Sequence, residues 1–176
     1  MIDAAQDEAQ RLWKDGNEAY RQRDYGRAHE LLKALLDQHG EGAGGVDPAL
    51  ARLQLGNTLL RLERTEEGVA ELLRAVRLDP YSGRARYKLG IGLARLDRSE
   101  EALAALEQAT ILAPNEPDHL WRWGEELRRC RRYNEAREAV GDALALKPDH
   151  AEALETMRQL KAESRWLRRL IRFAKS

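Results

Sequence analysis

Apolar residues recur three and four residues apart along most of the chain. A clear example is the stretch 102–112, whose apolar positions are Ala102, Leu103, Leu106, Ala109 and Leu112. This spacing places their side chains on one face of an α-helix. No run of alternating β-branched residues indicates a strand, so the pattern predicts an all-α protein.

The pattern repeats along the chain with a period of 34 residues. Large apolar, small and glycine positions keep the same step as the prolines. The members of this repeat include Pro80, Pro114 and Pro148; Gly56, Gly90 and Gly124; Leu59, Leu93 and Leu127; and Ala75, Ala109 and Ala143. Each unit reads as two helices, and the proline ends the second because the residue before a proline is disfavoured in helical conformation.

These units resemble tetratricopeptide repeats (TPRs), whose 34-residue pattern carries Leu-Gly, Ala and Pro at the positions found here. The resemblance implies a right-handed α-α superhelix, a TPR solenoid, with about four helix-turn-helix repeats and a C-terminal capping helix. We expect a single TPR domain over residues 1–176. Its expected repeats are approximately 9–40, 49–82, 83–116 and 117–150, followed by a helix over 151–175.

A glycine-rich insertion, residues 40–46, interrupts the step between the first and second repeats. Gly40, Gly42 and Gly45 match the G-x-G-x-x-G pattern of dinucleotide-binding loops. That pattern requires a strand before it, but an amphipathic helix precedes it here, so we do not expect a nucleotide. We predict instead that residues 40–46 are the most mobile internal segment and that Asp47-Pro48 starts the next helix.

Composition changes this picture little. The formal charge is zero, with 30 basic and 30 acidic residues, and only one cysteine, Cys130, is present. A single cysteine excludes an internal disulfide and favours a reducing compartment. The N-terminal residues lack the pattern of a secretory signal. We therefore expect a cytoplasmic protein, with a position at the inner membrane surface left open.

No motif for catalysis is present. The four histidines are scattered without metal-ligand spacing, and no serine lies in a nucleophile elbow. Acidic pairs such as Glu100-Glu101 have the spacing of solvated helix faces. We expect no enzyme, no cofactor and no metal.

The TPR resemblance implies a concave groove lined by the first helix of each repeat. By register, the candidate peptide-binding residues are Trp13, Asn17, Tyr20, Leu53, Gln54, Asn57, Arg84, Tyr87, Lys88, Ile91, Trp121, Arg122, Glu125 and Arg128. Aromatic rings, amides and cations together suit an extended peptide. The alternative is that the aromatic rings only pack one helix against the next.

One group of TPR proteins holds the C-terminal carboxylate of heat-shock chaperones with lysines and asparagines. This chain is similar in Asn17, Arg84 and Lys88, has Gln54 for the second asparagine, and has Trp13 for the first lysine. The expectation is therefore a general preference for acidic peptides.

The C-terminal segment 165–176 carries five cations and no acid. Its apolar residues Trp166, Leu167, Leu170, Ile171 and Phe173 fall on one helical face. Three roles stay open: a cap over the last repeat, a seam for homo-oligomers, or an anchor on anionic lipid.

The function expected is a non-catalytic protein–protein interaction scaffold. The alternatives are a small chaperone for secreted or assembling substrates and a membrane-surface assembly factor tethered by its C-terminal helix. We do not expect nucleic-acid binding through the basic cluster Arg128–Arg132.

Overall fold

The computed structural model describes the backbone of residues 2–173 and the side chains of residues 4–40 and 44–165. Over the described backbone the chain forms α-helices and one 3-10 turn, without a strand, which confirms the all-α prediction. The helices are α1 (Ile2–Arg21), α2 (Tyr25–His39), α3 (Pro48–Arg61), α4 (Thr65–Leu78), α5 (Gly83–Arg95), α6 (Ser99–Leu112), α7 (Pro117–Arg129), α8 (Tyr133–Leu146) and α9 (Ala151–Phe173).

The chain divides into two compact units, an N-terminal unit Met1–Arg98 and a C-terminal unit Ser99–Ser176. In the N-terminal unit, α1 packs against α2 and α3 against α4, while α2 also contacts α3 and α4 contacts α5. In the C-terminal unit, α6 contacts α7, α7 packs against α8, and α8 contacts α9. Each unit therefore consists of sequence-adjacent antiparallel helices, as short connections require.

Polar side chains fix several helix starts. Asp47 accepts hydrogen bonds from the backbone N–H groups of Ala49 (2.8 Å) and Leu50 (3.4 Å), and Pro48 occupies the first turn of α3. The predicted start signal at Asp47-Pro48 is thus confirmed. Ser82 caps α5 in the same way through Ala85 N–H (3.2 Å).

The turn after each first helix contains one residue with a left-handed backbone. These residues are Arg23, Glu63, Asp97 and Arg131, with φ of 63°, 61°, 55° and 61°. In the turn at Glu63, the next residue, Arg64, donates its N–H to Leu59 O at 3.0 Å and closes the helix end. No glycine occupies any of these four positions.

Glycine permits the closest helix contacts in both units. A Cβ on Gly56 would lie 2.7 Å from Leu72 Cγ and 3.0 Å from Gly68 O, so α3 and α4 touch almost backbone to backbone. A Cβ on Gly124 would lie 2.6 Å from Val140 Cγ2, where α7 meets α8. The repeated glycine therefore marks the crossing point of a helix pair.

Each unit has its own apolar core, built from the periodic positions. One buried cluster of the N-terminal unit consists of Ala9, Leu12, Leu32, Leu35, Leu36, Val46, Ala51, Leu55 and Leu59. One buried cluster of the C-terminal unit consists of Leu103, Leu127, Ala136, Ala139, Val140, Ala143, Ala153 and Leu160. Ala153 and Leu160 belong to α9, so the first half of this helix covers the end of the α7–α8 pair.

The glycine-rich insertion forms a 3-10 turn, Gly40–Gly45, that lies against α1. A Cβ on Gly44 would be 2.6 Å from Ala9 Cβ, and the Gln10 side-chain amide donates to Gly45 O at 3.0 Å. The turn follows helix α2, so it lacks the strand that a dinucleotide-binding loop needs. Its predicted mobility stays a prediction.

Candidate functional site

Helix α1 presents Trp13, Asn17 and Tyr20 along one side of the N-terminal unit. Trp13 is half-buried and packs against the core of that unit. The Asn17 amide donates to Trp13 O at 2.7 Å, and the Tyr20 hydroxyl accepts from the Asn57 amide at 2.8 Å. These candidate residues thus take part in packing within the unit as well as facing outward.

The candidate residues of α3 are buried. Leu53 is 4% exposed, Gln54 9% and Asn57 7%. The sequence register placed all three in the lining of the concave groove; in the structure they are largely enclosed, and Asn57 donates to Tyr20. They support the neighbouring helices and offer a ligand little surface.

Helix α5 keeps its candidate residues accessible. Arg84 is exposed, and Tyr87, Lys88 and Ile91 are half-buried. Their spacing of three, four and seven residues places them on one helical face. Lys88 Nζ lies 5.4 Å from the centre of the Tyr87 ring, within the range of a cation–π contact.

A hydrogen-bonded chain joins α7 to α9 in the C-terminal unit. The Trp121 indole N–H donates to Thr156 Oγ1 at 3.1 Å, and the Thr156 hydroxyl donates to Glu125 Oε2 at 3.1 Å. Arg128 holds Glu125 through two hydrogen bonds, of 2.9 and 3.1 Å, and Glu163 through a third of 2.8 Å. Three candidate residues, Trp121, Glu125 and Arg128, are therefore part of the contact with α9.

The contacts within this hydrogen-bonded network shift the pKa values of Glu125 and Arg128. Burial alone would raise the pKa of the Glu125 carboxyl. The hydrogen bonds from Arg128 and Thr156, with the nearby charges of Arg128 and Arg122, outweigh burial and hold that pKa below its usual range. The hydrogen bonds that Arg128 donates to Glu125 raise the already high pKa of the Arg128 guanidinium. Both groups are therefore charged at neutral pH.

A cleft of about 440 Å³ opens beside this hydrogen-bonded chain. Its lining comes from α7 and α9, and we refer to it as the α7–α9 cleft. The lining residues are Trp121, Arg122, Glu125, Ala151, Glu152, Glu155, Thr156 and Gln159. The cleft is large enough for an extended side chain or a short peptide stretch.

The partners of the α7 candidates on α9 lie one residue beyond the 34-residue register. Thr156 and Glu163 each follow their α7 partner by 35 residues. The sequence indicated no role for Thr156 or Glu163. It also indicated none for the buried His150, whose ring centre lies 5.5 Å from that of Trp121. The strict 34-residue step from Trp121 and Arg128 leads instead to Glu155 and Ala162, so the repeat period alone does not identify these partners.

A second cleft, also of about 440 Å³, lies in the N-terminal unit between α2, α3 and α4. Its charged lining residues pair with one another: Arg52 with Glu71 (2.8 Å), Arg64 with Glu67 (2.6 Å), and Lys33 with Asp37. Burial, followed by the charge of Arg64, lowers the pKa of His29. Four cations and three carboxylates line this cleft, and with Arg74 also paired to Glu71 they indicate no particular ligand.

Several sequence predictions fall at the edge of the described residues. The side chains of Trp166, Leu167, Leu170, Ile171 and Phe173 lie outside those that the structure describes.

Within the described residues no group of three or more histidine, cysteine or acidic side chains could hold a metal ion. Among the described helices, none has both the length and the apolar character needed to cross a bilayer.

Comparison with known proteins gives the fold a family context. The tetratricopeptide repeat family model matches residues 14–83 and 53–117. No curated protein matches the chain.

Three of the similar solved structures share the repeat architecture. YrrB, a TPR protein with an unusual peptide-binding site, is 24% identical with a TM-score of 0.71, over 85% of this chain and 74% of YrrB. MamA from Desulfovibrio magneticus RS-1 is 19% identical with a TM-score of 0.72, over 97% of this chain and 98% of MamA. The first TPR of Spaghetti (RPAP3), bound to the HSP90 peptide SRMEEVD, is 20% identical with a TM-score of 0.64. The match covers 66% of this chain and 92% of the Spaghetti chain. These likenesses confirm the helical-repeat fold.

Proposed function

Because this chain belongs to the tetratricopeptide repeat family, we propose that it is a non-catalytic scaffold for protein–protein interaction. It binds a peptide or a helical segment of a partner on the faces of its first helices. The family and the fold support an interaction role in general. The exposure of the candidate residues on α5 supports that helix as the binding face.

The observation that carries this proposal is the open face of α5. Arg84, Tyr87, Lys88 and Ile91 share that face, and all four retain exposure to solvent. The face combines an aromatic ring, an aliphatic side chain and two cations, a set that binds side chains and carboxylates of an extended peptide. Arg84 and Lys88 favour an acidic stretch of the partner at this face.

Photo-crosslinking tests the proposal. The photoreactive amino acid p-benzoylphenylalanine replaces Tyr87 on the α5 face, and in a matched control it replaces Tyr81. Tyr81 is 82% exposed and lies in the turn before α5 rather than on the helix. We expect a discrete crosslinked partner from position 87 and none from position 81.

The crosslink should also depend on the charge of the face. Arg84→Glu in the position-87 protein should reduce the crosslinked product severalfold, because it places a carboxylate where an acidic peptide would bind. Equal crosslinking from positions 81 and 87, or a product unaffected by Arg84→Glu, contradicts binding at the α5 face.

The C-terminal segment 165–176 supports a second candidate function, attachment to a membrane surface. Five cations without an acid, next to tryptophan, leucine and phenylalanine, have the composition of an interfacial anchor. Here the support is sequence alone. An assembly factor of this kind would hold its partner on the helix faces and its tail on lipid.

A further inference from the structure

The α7–α9 cleft has an unbalanced charge. Its lining contains three carboxylates, Glu125, Glu152 and Glu155, and one guanidinium, Arg122. The Glu125 carboxylate already accepts hydrogen bonds from Arg128 and Thr156. The excess negative charge therefore belongs to Glu152 and Glu155, which are neighbours on one face of α9.

These two carboxylates are open to a partner. The Glu152 side chain is 63% exposed and that of Glu155 50%. Glu155 has an exposed ion pair with Arg158 at 2.6 Å. Exposed pairs of this kind contribute little stability and exchange readily for another cation.

A buried histidine lies beside Glu152. His150, 3% exposed, lies at the start of α9; its Nδ1 accepts the N–H of Ala153 at 3.3 Å, and its Nε2 lies 2.9 Å from Asp118 Oδ1. Glu152 Oε2 lies 3.2 Å from His150 Nδ1, and the Glu152 side chain remains 63% exposed.

Two further groups shape the ligand. The half-buried Trp121 ring lines the cleft and provides a π face for a cation. Arg122 Nε is buried and, within the part of the chain that the structure describes, has no hydrogen-bond partner. A backbone carbonyl of an extended segment is the acceptor that this N–H would need.

We infer that the α7–α9 cleft receives the basic side chain of an extended partner segment, between Trp121 and the carboxylates Glu152 and Glu155. A backbone carbonyl of the same segment accepts from Arg122. The inference rests on the proposed function and adds the chemistry of the partner at this unit: an arginine or a lysine. This preference for a basic side chain differs from the preference for an acidic stretch that the cations of α5 produce in the N-terminal unit.

Fluorescence anisotropy on the full chain tests this inference. The probes are a fluorescein-labelled peptide of alternating alanine and arginine, the same peptide with citrulline for arginine, and the same peptide with glutamate. Citrulline keeps the shape of arginine and removes its charge. The variants are Glu152→Gln, Glu155→Gln and their combination, with Glu138→Gln, an exposed residue of α8 outside the cleft, as the matched control.

We expect the Kd of the arginine peptide to rise about threefold for each glutamine and about tenfold for the double variant. Glu138→Gln should leave it unchanged, and the citrulline peptide should bind about tenfold more weakly and ignore the double variant. Absence of arginine-peptide binding overturns the inference, as does equal binding of arginine and citrulline peptides or an equal loss in Glu138→Gln. Binding of the glutamate peptide alone also overturns this inference. It leaves the proposed scaffold function standing, because the crosslinks at position 87 test that function separately.

Discussion

At the scale of single residues, Glu125 shows how a position chosen for ligand binding can also hold the fold. Its carboxylate accepts from Arg128 and Thr156, so it links α7 to α9. The sequence register placed Glu125 on the correct helix face. It could not show that Thr156 would lie beside it, because α9 lacks the proline and glycine that mark the other repeats.

The lowered pKa of Glu125 predicts a pH dependence of stability in the C-terminal unit. A carboxyl whose pKa is lower in the folded than in the unfolded chain stabilises the fold above its unfolded value, near 4.5. This stabilisation is lost as the pH falls through the folded pKa. We expect Glu125→Gln to cost about 1–2 kcal/mol at pH ~7 and progressively less as the pH falls below about 4.

Hydrogen exchange of peptides from α7 and α9, comparing variant and parent at each pH, measures this difference. Glu107→Gln, an exposed residue of α6, is the control and should match the parent throughout. A cost for Glu125→Gln that stays constant down to pH ~3 would show that its charge does not contribute.

At the scale of elements, the turns between paired helices carry a common strain. Glu63 connects α3 to α4 with φ of 61°, a left-handed conformation that costs a side chain about 1 kcal/mol and costs glycine little. Glu63 is exposed. We expect Glu63→Gly to stabilise the N-terminal unit by about 0.5–1 kcal/mol, measured by hydrogen exchange of α3 and α4.

Glu66→Gly is the matched control, since Glu66 is also exposed but lies in the first turn of α4. Glycine there should destabilise by up to about 1 kcal/mol. If both variants destabilise to the same extent, the left-handed turn carries no strain that glycine can relieve.

The elements themselves were predictable because their signals are local and repeated. Prolines, glycines and apolar stripes at a constant step define the helix pairs, and Asp47-Pro48 marks the start of α3. The burial of Gln54 and Asn57 was not predictable in this way. Polar side chains on a first helix read as open surface until a neighbouring hydroxyl, here that of Tyr20, is seen to satisfy one of them.

At the scale of the whole molecule, the question is what the C-terminal segment adds to the two units. Ala153 and Leu160 of α9 complete the core of the C-terminal unit, and the described contacts of α9 with α7 and α8 extend to Glu163 and Ser164. Among the residues whose side chains the structure describes, those before 165 already cover that core. We expect deletion of residues 165–176 to leave the melting temperature nearly unchanged.

The same deletion removes five cations and Trp166, Leu170 and Phe173, the groups that would hold an anionic membrane surface. We expect the full chain to float with vesicles containing phosphatidylserine at low salt, and neither the deletion nor a full-length variant with all five cations changed to glutamine to do so. Neutral vesicles and high salt should release the full chain, because the attraction is electrostatic and screened. Flotation that survives the deletion excludes the tail as the tether. A deletion that halves the mass in light scattering without affecting flotation assigns the segment to self-association instead.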